Sequence, residues 1–295
     1  MRLLPPSFLA TPARRLLARV VFYGAVLFLA LPFAFSQVMI GAIRQPPGPV
    51  SAGYQEVRVR PESLTLRAWV APGEPSPPAV ILVHGVGDAL ESYQSQAGVL
   101  RARGHTVLLL DLRGHGGSDG APMTLGGHER EDVRAAMAHL RRAGLAPAGF
   151  VLMGWSMGAV AVLRAAAVET DVRAVVAEAP FDTYRETVAR HAWLLYRVPR
   201  WLPQVSLSIA LAEWRAGFDA DQVDAVAAAR SFRAPLLLIA DGADDRMPEA
   251  VVRRVFDAHP GPKALWVAAG APHVGAILSA EYWPRIFAFL ADSGC

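Results

Sequence analysis

Short apolar runs alternate with stretches of helical spacing along the middle of the chain. The apolar runs cover residues 79–83, 106–110, 150–153 and 172–177, and the helical stretches cover 92–103, 128–143 and 157–168. Runs without a polar face belong to strands covered on both sides, and their alternation with helices predicts a mostly parallel, doubly wound sheet. Ahead of them, Tyr54 to Val70 reads as two strands around a turn near Pro61-Glu62-Ser63. Between Phe181 and Arg230 the alternation stops and the pattern is helical, with Trp193, Trp201, Trp214, Tyr184, Tyr196 and Phe218. It resumes with a strand at Pro235–Ala240, another at Leu265–Val267, and a closing helix from Ala280 to Leu290.

A different pattern opens the chain. Residues 20–43 are 24 positions without a charge. As a helix they reach about 36 Å, enough to span a bilayer. Arg2, Arg14, Arg15 and Arg19 precede the run and only Arg44 follows closely. That asymmetry predicts a cytoplasmic N-terminus and a soluble domain outside. Pro32 is tolerated in a membrane helix. A cleaved signal peptide is the alternative, with Ala34-Phe35-Ser36 as a cleavage site, although the apolar run continues past it. Gln45-Pro46-Pro47-Gly48-Pro49 reads as a stiff linker. The expected organisation is therefore a cytoplasmic segment (1–19), a transmembrane anchor (20–43), a linker (44–53) and one α/β domain (54–295) with a helical cap at about 181–230.

The chemistry concentrates at strand ends. Gly154-Trp155-Ser156-Met157-Gly158 lies between an apolar strand and a run of small residues. Strand, sharp turn and helix would leave the Ser156 hydroxyl exposed at the sheet's edge, with the Met157 N–H at a helix N-terminus. Upstream, the strand 80–83 runs into His84-Gly85-Val86-Gly87, which offers a second backbone donor at Val86. Downstream, Asp241, Asp244 and Asp245 follow one strand, and His273 follows the last.

With these residues the chain resembles the α/β-hydrolase superfamily over residues 54–292, closest to small-cap bacterial serine hydrolases of the esterase and peptidase-like branch. Asp111-Leu112-Arg113-Gly114-His115-Gly116-Gly117-Ser118 and Glu131-Asp132-Val133 carry the resemblance further. It implies Ser156 as nucleophile, His273 as general base and acid, an aspartate orienting the imidazole, and an oxyanion hole from the N–H groups of Val86 and Met157. The family places the acid four residues before a proline, which selects Asp244, the preferred candidate; counting three residues from Gly242 selects Asp245 as the alternative. A serine at the elbow sets the chain apart from epoxide hydrolases and haloalkane dehalogenases, and leaves perhydrolysis open as a side activity.

Of the eight histidines, only His273 lies between the last strand and the closing helix. His105, His139, His191 and His259 read as surface or satisfied core residues; His84 and His115 belong to loops where they would orient backbone; His128 has no assigned role. The net charge of +3 owes more than its excess to the four arginines before the anchor, so nucleic-acid binding is not expected. Lys263 is the sole lysine among 29 basic residues, the bias of a GC-rich bacterial genome, and the cytoplasmic membrane is the expected location. The single cysteine, Cys295, allows no internal disulfide. No zinc spacing or P-loop is present, so no cofactor or metal is expected. The sequence thus points to cleavage of carboxylic esters on a small-molecule or lipid-like acyl substrate. A peptidase or amidase with the same triad, and a non-catalytic binding module, are the alternatives. The cap reads as a pocket lid, as a membrane-surface contact, or as plain packing.

Overall fold

The computed structural model describes residues 11–295, so the expected cytoplasmic segment falls mostly outside the described residues. Eight strands form one sheet: β1 (Gln55–Val59), β2 (Leu66–Ala71), β3 (Ala79–Val83), β4 (Val107–Leu110), β5 (Phe150–Trp155), β6 (Val172–Glu178), β7 (Leu236–Asp241) and β8 (Lys263–Ala268). Their spatial order is β1-β2-β4-β3-β5-β6-β7-β8. β2 runs antiparallel to both β1 and β4; the other pairs are parallel. The chain steps one way from β3 to β4 and the other way to β5. The carboxyl ends of β3 and β5 therefore flank the crevice where ligands bind in open α/β sheets.

Successive residues of the central strands feed two separate cores, as the pleat requires. Ile81, Val83, Leu152 and Leu238 face α3 (Glu129–Arg142), α4 (Met157–Ala166) and α8 (Glu249–Ala258). Val80, Leu82, Met153 and Ile239 face α2 (Gln94–Arg101) and α9 (Tyr282–Asp292). The expected strands and helices are present with shifts of a few residues at their ends; the helix expected over 92–103 begins as a tight 3-10 turn at Leu90–Tyr93.

The loop after β4 is built on buried charge. Asp111 accepts the N–H groups of Leu90 and Gly117 at 2.8 and 2.9 Å. A Cβ at Gly116 would fall 2.3 Å from that carboxyl. Arg113 lies against Asp132 with a shortest contact of 2.6 Å, both side chains buried.

The cap consists of α5 (Tyr184–Tyr196), α6 (Pro203–Ala216) and α7 (Ala225–Arg230). Its two ends are pinned together where the Tyr184 N–H donates to Val223 and the Ala225 N–H to Asp182. Tyr184 is buried and meets Phe218 edge-on at 5.1 Å, whereas Trp201 and Trp214 are 76% and 78% exposed.

The N-terminal helix, α1, runs from Pro12 to Ile40. Among the described residues it is the one helix long and apolar enough to cross a membrane. Its first half is exposed, but Pro32, Ser36 and Ile40, one stripe at four-residue spacing, are buried against the domain. Arg215 of α6 donates to Ser36 Oγ at 2.7 Å, bonds Gln37, and stacks over Phe33 at 4.3 Å. Phe35 meets Tyr196 edge-on at 4.8 Å. The helix stops at Gly41, and Ile43 continues in extended backbone, donating to the Gly114 carbonyl at 2.8 Å. The proline-rich stretch that follows is fastened to the domain: Gln45 bonds the Gly87 carbonyl, and Gly48 bonds both Glu91 and Arg67.

Two glycines test this packing in opposite directions. A Cβ at Gly158 would lie 2.1 Å from the Val83 carbonyl oxygen, which is backbone and cannot turn aside. Gly98 lies on the exposed side of α2 with nothing within 4 Å of a Cβ. Gly158→Ala should therefore lower unfolding free energy by about 3 kcal/mol or more, whereas Gly98→Ala should raise it by about 0.5–1 kcal/mol. Urea denaturation in detergent reads both, and equal midpoints for the two variants would contradict the packing.

Candidate active site

Ser156 stands between β5 and α4 with φ 52° and ψ −115°, a conformation that costs a non-glycine residue about 1–3 kcal/mol. The surroundings leave it no alternative. A Cβ at Gly154 would fall 2.4 Å from the Gly158 carbonyl oxygen, so the strand end and helix start are in backbone contact. The Ser156 N–H donates to the Glu178 carbonyl at the end of β6, 2.9 Å away. The turn is tied to the neighbouring strand while its hydroxyl faces a cavity.

His273 reaches that hydroxyl from the loop after β8. Its Nδ1–H donates to Asp244 Oδ2 at 2.6 Å, leaving Nε2 to accept from Ser156 Oγ at 3.0 Å. Asp244 is fixed in turn, its Oδ1 accepting the N–H groups of Arg246 and Met247 at 2.8 and 3.0 Å. Burial alone would raise the Asp244 carboxyl; the His273 hydrogen bond and the Met247 and Arg246 amides outweigh it and hold the group below the usual carboxylate range. Asp245 is exposed, and the imidazole Nδ1 is bonded to Asp244. Of the two aspartates left open by the sequence, Asp244 is the one that touches the imidazole.

A third aspartate, which sequence reasoning had not placed, holds the histidine loop. Asp241 accepts the N–H of Val274 at 2.9 Å and of Ala276 at 2.8 Å. Val274 has φ 58°, an outlier for a β-branched residue, and these bonds hold it there. Asp241 is thus a positioning residue for His273.

Val86 and Met157 line the same cavity as Ser156 and His273. Met157 opens α4, so its N–H has no partner within the helix. Gly85 brings the Val86 loop close: a Cβ there would lie 3.3 Å from both Ser156 Cβ and the Trp155 carbonyl oxygen. His84 stabilises this loop. Its Nδ1–H donates to the Gly85 carbonyl at 2.7 Å, and its Nε2 accepts the Leu112 N–H at 3.0 Å. Burial, and then neighbouring His115, lower its pKa to about 4, so it remains neutral and keeps that tautomer. His191, read as a packing residue, lines the cavity and donates from Nδ1 to the Thr187 carbonyl.

The cavity measures about 710 Å³. Its walls are overwhelmingly apolar, drawn from the β3 and β5 loops, α5, α6 and the last turns of α1. Among the described residues no cluster of His, Cys, Asp and Glu suited to a metal is found.

The serine aminopeptidase S33 family, Hydrolase_4, matches residues 74–217. An uncharacterized protein of Mycobacterium tuberculosis is 30% identical over 236 residues, covering 79% of this chain and 76% of its own length. The chain belongs to the α/β-hydrolase superfamily. An uncharacterized protein of Bacillus subtilis is 29% identical to this hydrolase over 206 residues, 69% of this chain and 67% of its own. Among solved structures, a Pyrococcus furiosus esterase superposes on the hydrolase with a TM-score of 0.68 at 25% identity, covering 86% of this chain and 97% of that one.

Beneath the elbow lies a buried carboxyl pair. Trp155 Nε1 donates to Glu178 Oε2 at 3.0 Å. Burial, and then neighbouring Asp241, raise the pKa of Glu178 to about 8. Unfolded, this carboxyl ionises near 4.5, so between those values the folded state keeps a proton that the unfolded state has lost. That contribution to stability is complete at low pH and is lost as pH rises towards about 8. Thermal midpoints of Glu178→Gln should therefore fall less steeply than wild type between pH 4.5 and about 8. Parallel pH profiles would show that Glu178 is already ionised at neutrality.

Proposed function

We propose that this chain is a serine hydrolase that cleaves carboxylic esters through an acyl-enzyme. The observation that carries the reading is the unbroken series Ser156 Oγ, His273 Nε2, His273 Nδ1 and Asp244 Oδ2, with contacts of 3.0 and 2.6 Å. Each bond has the polarity the chemistry needs. His273 takes the Ser156 proton as Oγ attacks the acyl carbon, then returns it to the departing alcohol. Asp244 stabilises the imidazolium without becoming protonated. The oxyanion falls to the N–H groups of Met157 and Val86, each worth about 3 kcal/mol of barrier. Water, deprotonated by His273, then releases the acid and restores Ser156.

The apolar cavity favours acyl esters over peptides. Asp88 is the only carboxylate among its lining residues, and that side chain already accepts from Ser92 and from the Ala89 N–H. An aminopeptidase has a substrate ammonium to balance. The peptidase or amidase reading rests on the same triad and on the family description, and a series of acyl esters against peptide amides separates the two. A non-catalytic module would have no use for an aligned Ser-His-Asp series beneath a strained serine.

We place α1 in the bacterial cytoplasmic membrane as a single-pass anchor, with the N-terminus inside and the catalytic domain outside. The packing of Ser36 against Arg215 and of Phe35 against Tyr196 supports retention of the helix, because cleavage near Ser36 would strip both contacts. A periplasmic reporter fused after Cys295 should be active, and a cytoplasmic one silent.

Asp244→Asn should lower kcat for a short-chain ester by about 10⁴-fold, whereas Asp245→Asn should change it by less than about twofold. Fluorophosphonate labelling should vanish in Ser156→Ala. Equal losses at the two aspartates, or persistent labelling of Ser156→Ala, would overturn the triad.

A further inference from the structure

The anchor helix forms part of the active-site cavity. Leu31, Phe35, Val38 and Met39 fall at positions i, i+4, i+7 and i+8, one face of α1, and all four line the cavity that holds Ser156 and His273. The adjacent stripe, Pro32, Ser36 and Ile40, is the one buried against the domain. Packing along one stripe therefore turns the next into a cavity wall. Phe35 and Met39 are partly buried, whereas Leu31 and Val38 are exposed and frame a mouth. Leu195 and Tyr196 of α5, also exposed and also lining the cavity, belong to its other frame. An exposed apolar mouth of this kind is costly in water and favourable in hydrocarbon.

Helix length places that mouth at the bilayer. From Val20 to Leu31, where the lining begins, α1 rises only about 17 Å, against a hydrocarbon core of about 30 Å. Counting on to Met39 gives about 29 Å. Only by including the docked turns does the uncharged part of the helix match the core, so the cap must meet the lipid surface. The exposed Trp193, Trp201 and Trp214 of the cap are residues that favour this interface.

We infer that the substrate is a long-chain acyl ester of a membrane-resident amphiphile, which enters sideways from the bilayer between α1 and α5, and that α1 is the wall that selects its acyl chain. The inference rests on the serine hydrolase reading and adds to it a substrate class and an entry route. Its chemistry requires no co-reactant beyond water: the ester C–O bond breaks, the alcohol leaves with the proton from His273, and the fatty acid departs after hydrolysis.

The test uses the full chain in phosphatidylcholine vesicles and two fluorophosphonates that differ only in carrying a methyl or a dodecyl group. Val38→Trp narrows the mouth at an exposed position, and Val21→Trp places the same bulk on α1 away from the cavity. Val38→Trp should slow dodecyl labelling about tenfold or more relative to methyl labelling, the scale on which apolar pockets discriminate chain size. Val21→Trp should leave both unchanged. The dodecyl probe should label wild type much faster from the enzyme's own vesicles than from separate ones, which distinguishes delivery by the bilayer from delivery by water. Equal slowing of both probes by Val38→Trp, no slowing of either, or equal labelling from separate vesicles would overturn this inference while methyl labelling upholds the hydrolase. Wild type labelled by neither probe would remove the hydrolase reading, and this inference with it.

Discussion

The close approach of three backbone segments at Gly154 and Gly158 is the constraint on which the rest of the site depends. The end of β5, the start of α4 and the end of β3 meet where a single extra carbon would strike a carbonyl oxygen, at 2.4 Å from Gly158 and 2.1 Å from Val83. Within that contact the residue between strand and helix has to turn through a left-handed conformation. Ser156 does so, held by the Glu178 carbonyl. The chain neighbours Trp155 and Met157 are buried, whereas Ser156 itself is partly exposed and lines the cavity. The Met157 N–H is left unpaired because it begins the helix that the strain starts. The same rigidity is repeated at the histidine, where Asp241 holds Val274 in its own strained conformation. Backbone strain stabilised by buried hydrogen bonds, at two loops, places Ser156 Oγ and His273 Nε2 3.0 Å apart.

Around this rigid centre the walls are assembled from less constrained parts. The cap is fixed at its two ends, and α1 is fixed by Arg215 and a stripe of buried side chains. The apolar helix α1 is thereby a component of the cavity wall. In the proposed reading, attachment to the membrane and recognition of the acyl chain share this one element, and a change in the seating of α1 changes the cavity directly.

The sheet, the elbow and the histidine were legible in the sequence because each has a local cause. Fully apolar runs have only one place to go, and glycines flanking a serine after such a run leave few alternatives. Asp244 was preferred over Asp245 only through the family's spacing to a proline, because adjacent residues in a loop differ only in which one the backbone aims at His273. Asp241 was hidden for the opposite reason: its task is to bond amides more than thirty positions away, and sequence spacing carries no trace of that. The role of α1 was obscured by its hydropathy, which reads alike whether the partner is lipid or protein. A faint signal existed in Ser36 and Gln37, polar side chains inside an apolar run. They interrupt it on the side where Arg215 docks.

The most direct test of the central claim is the mass of the protein during turnover. Full-length enzyme mixed with a p-nitrophenyl acyl ester and quenched in acid within milliseconds should carry one added acyl group, mapped to Ser156, in step with a burst of nitrophenol. Turnover with the acyl group on another residue, or with no burst and no adduct across a range of acyl chains, would contradict an elbow serine acting as nucleophile.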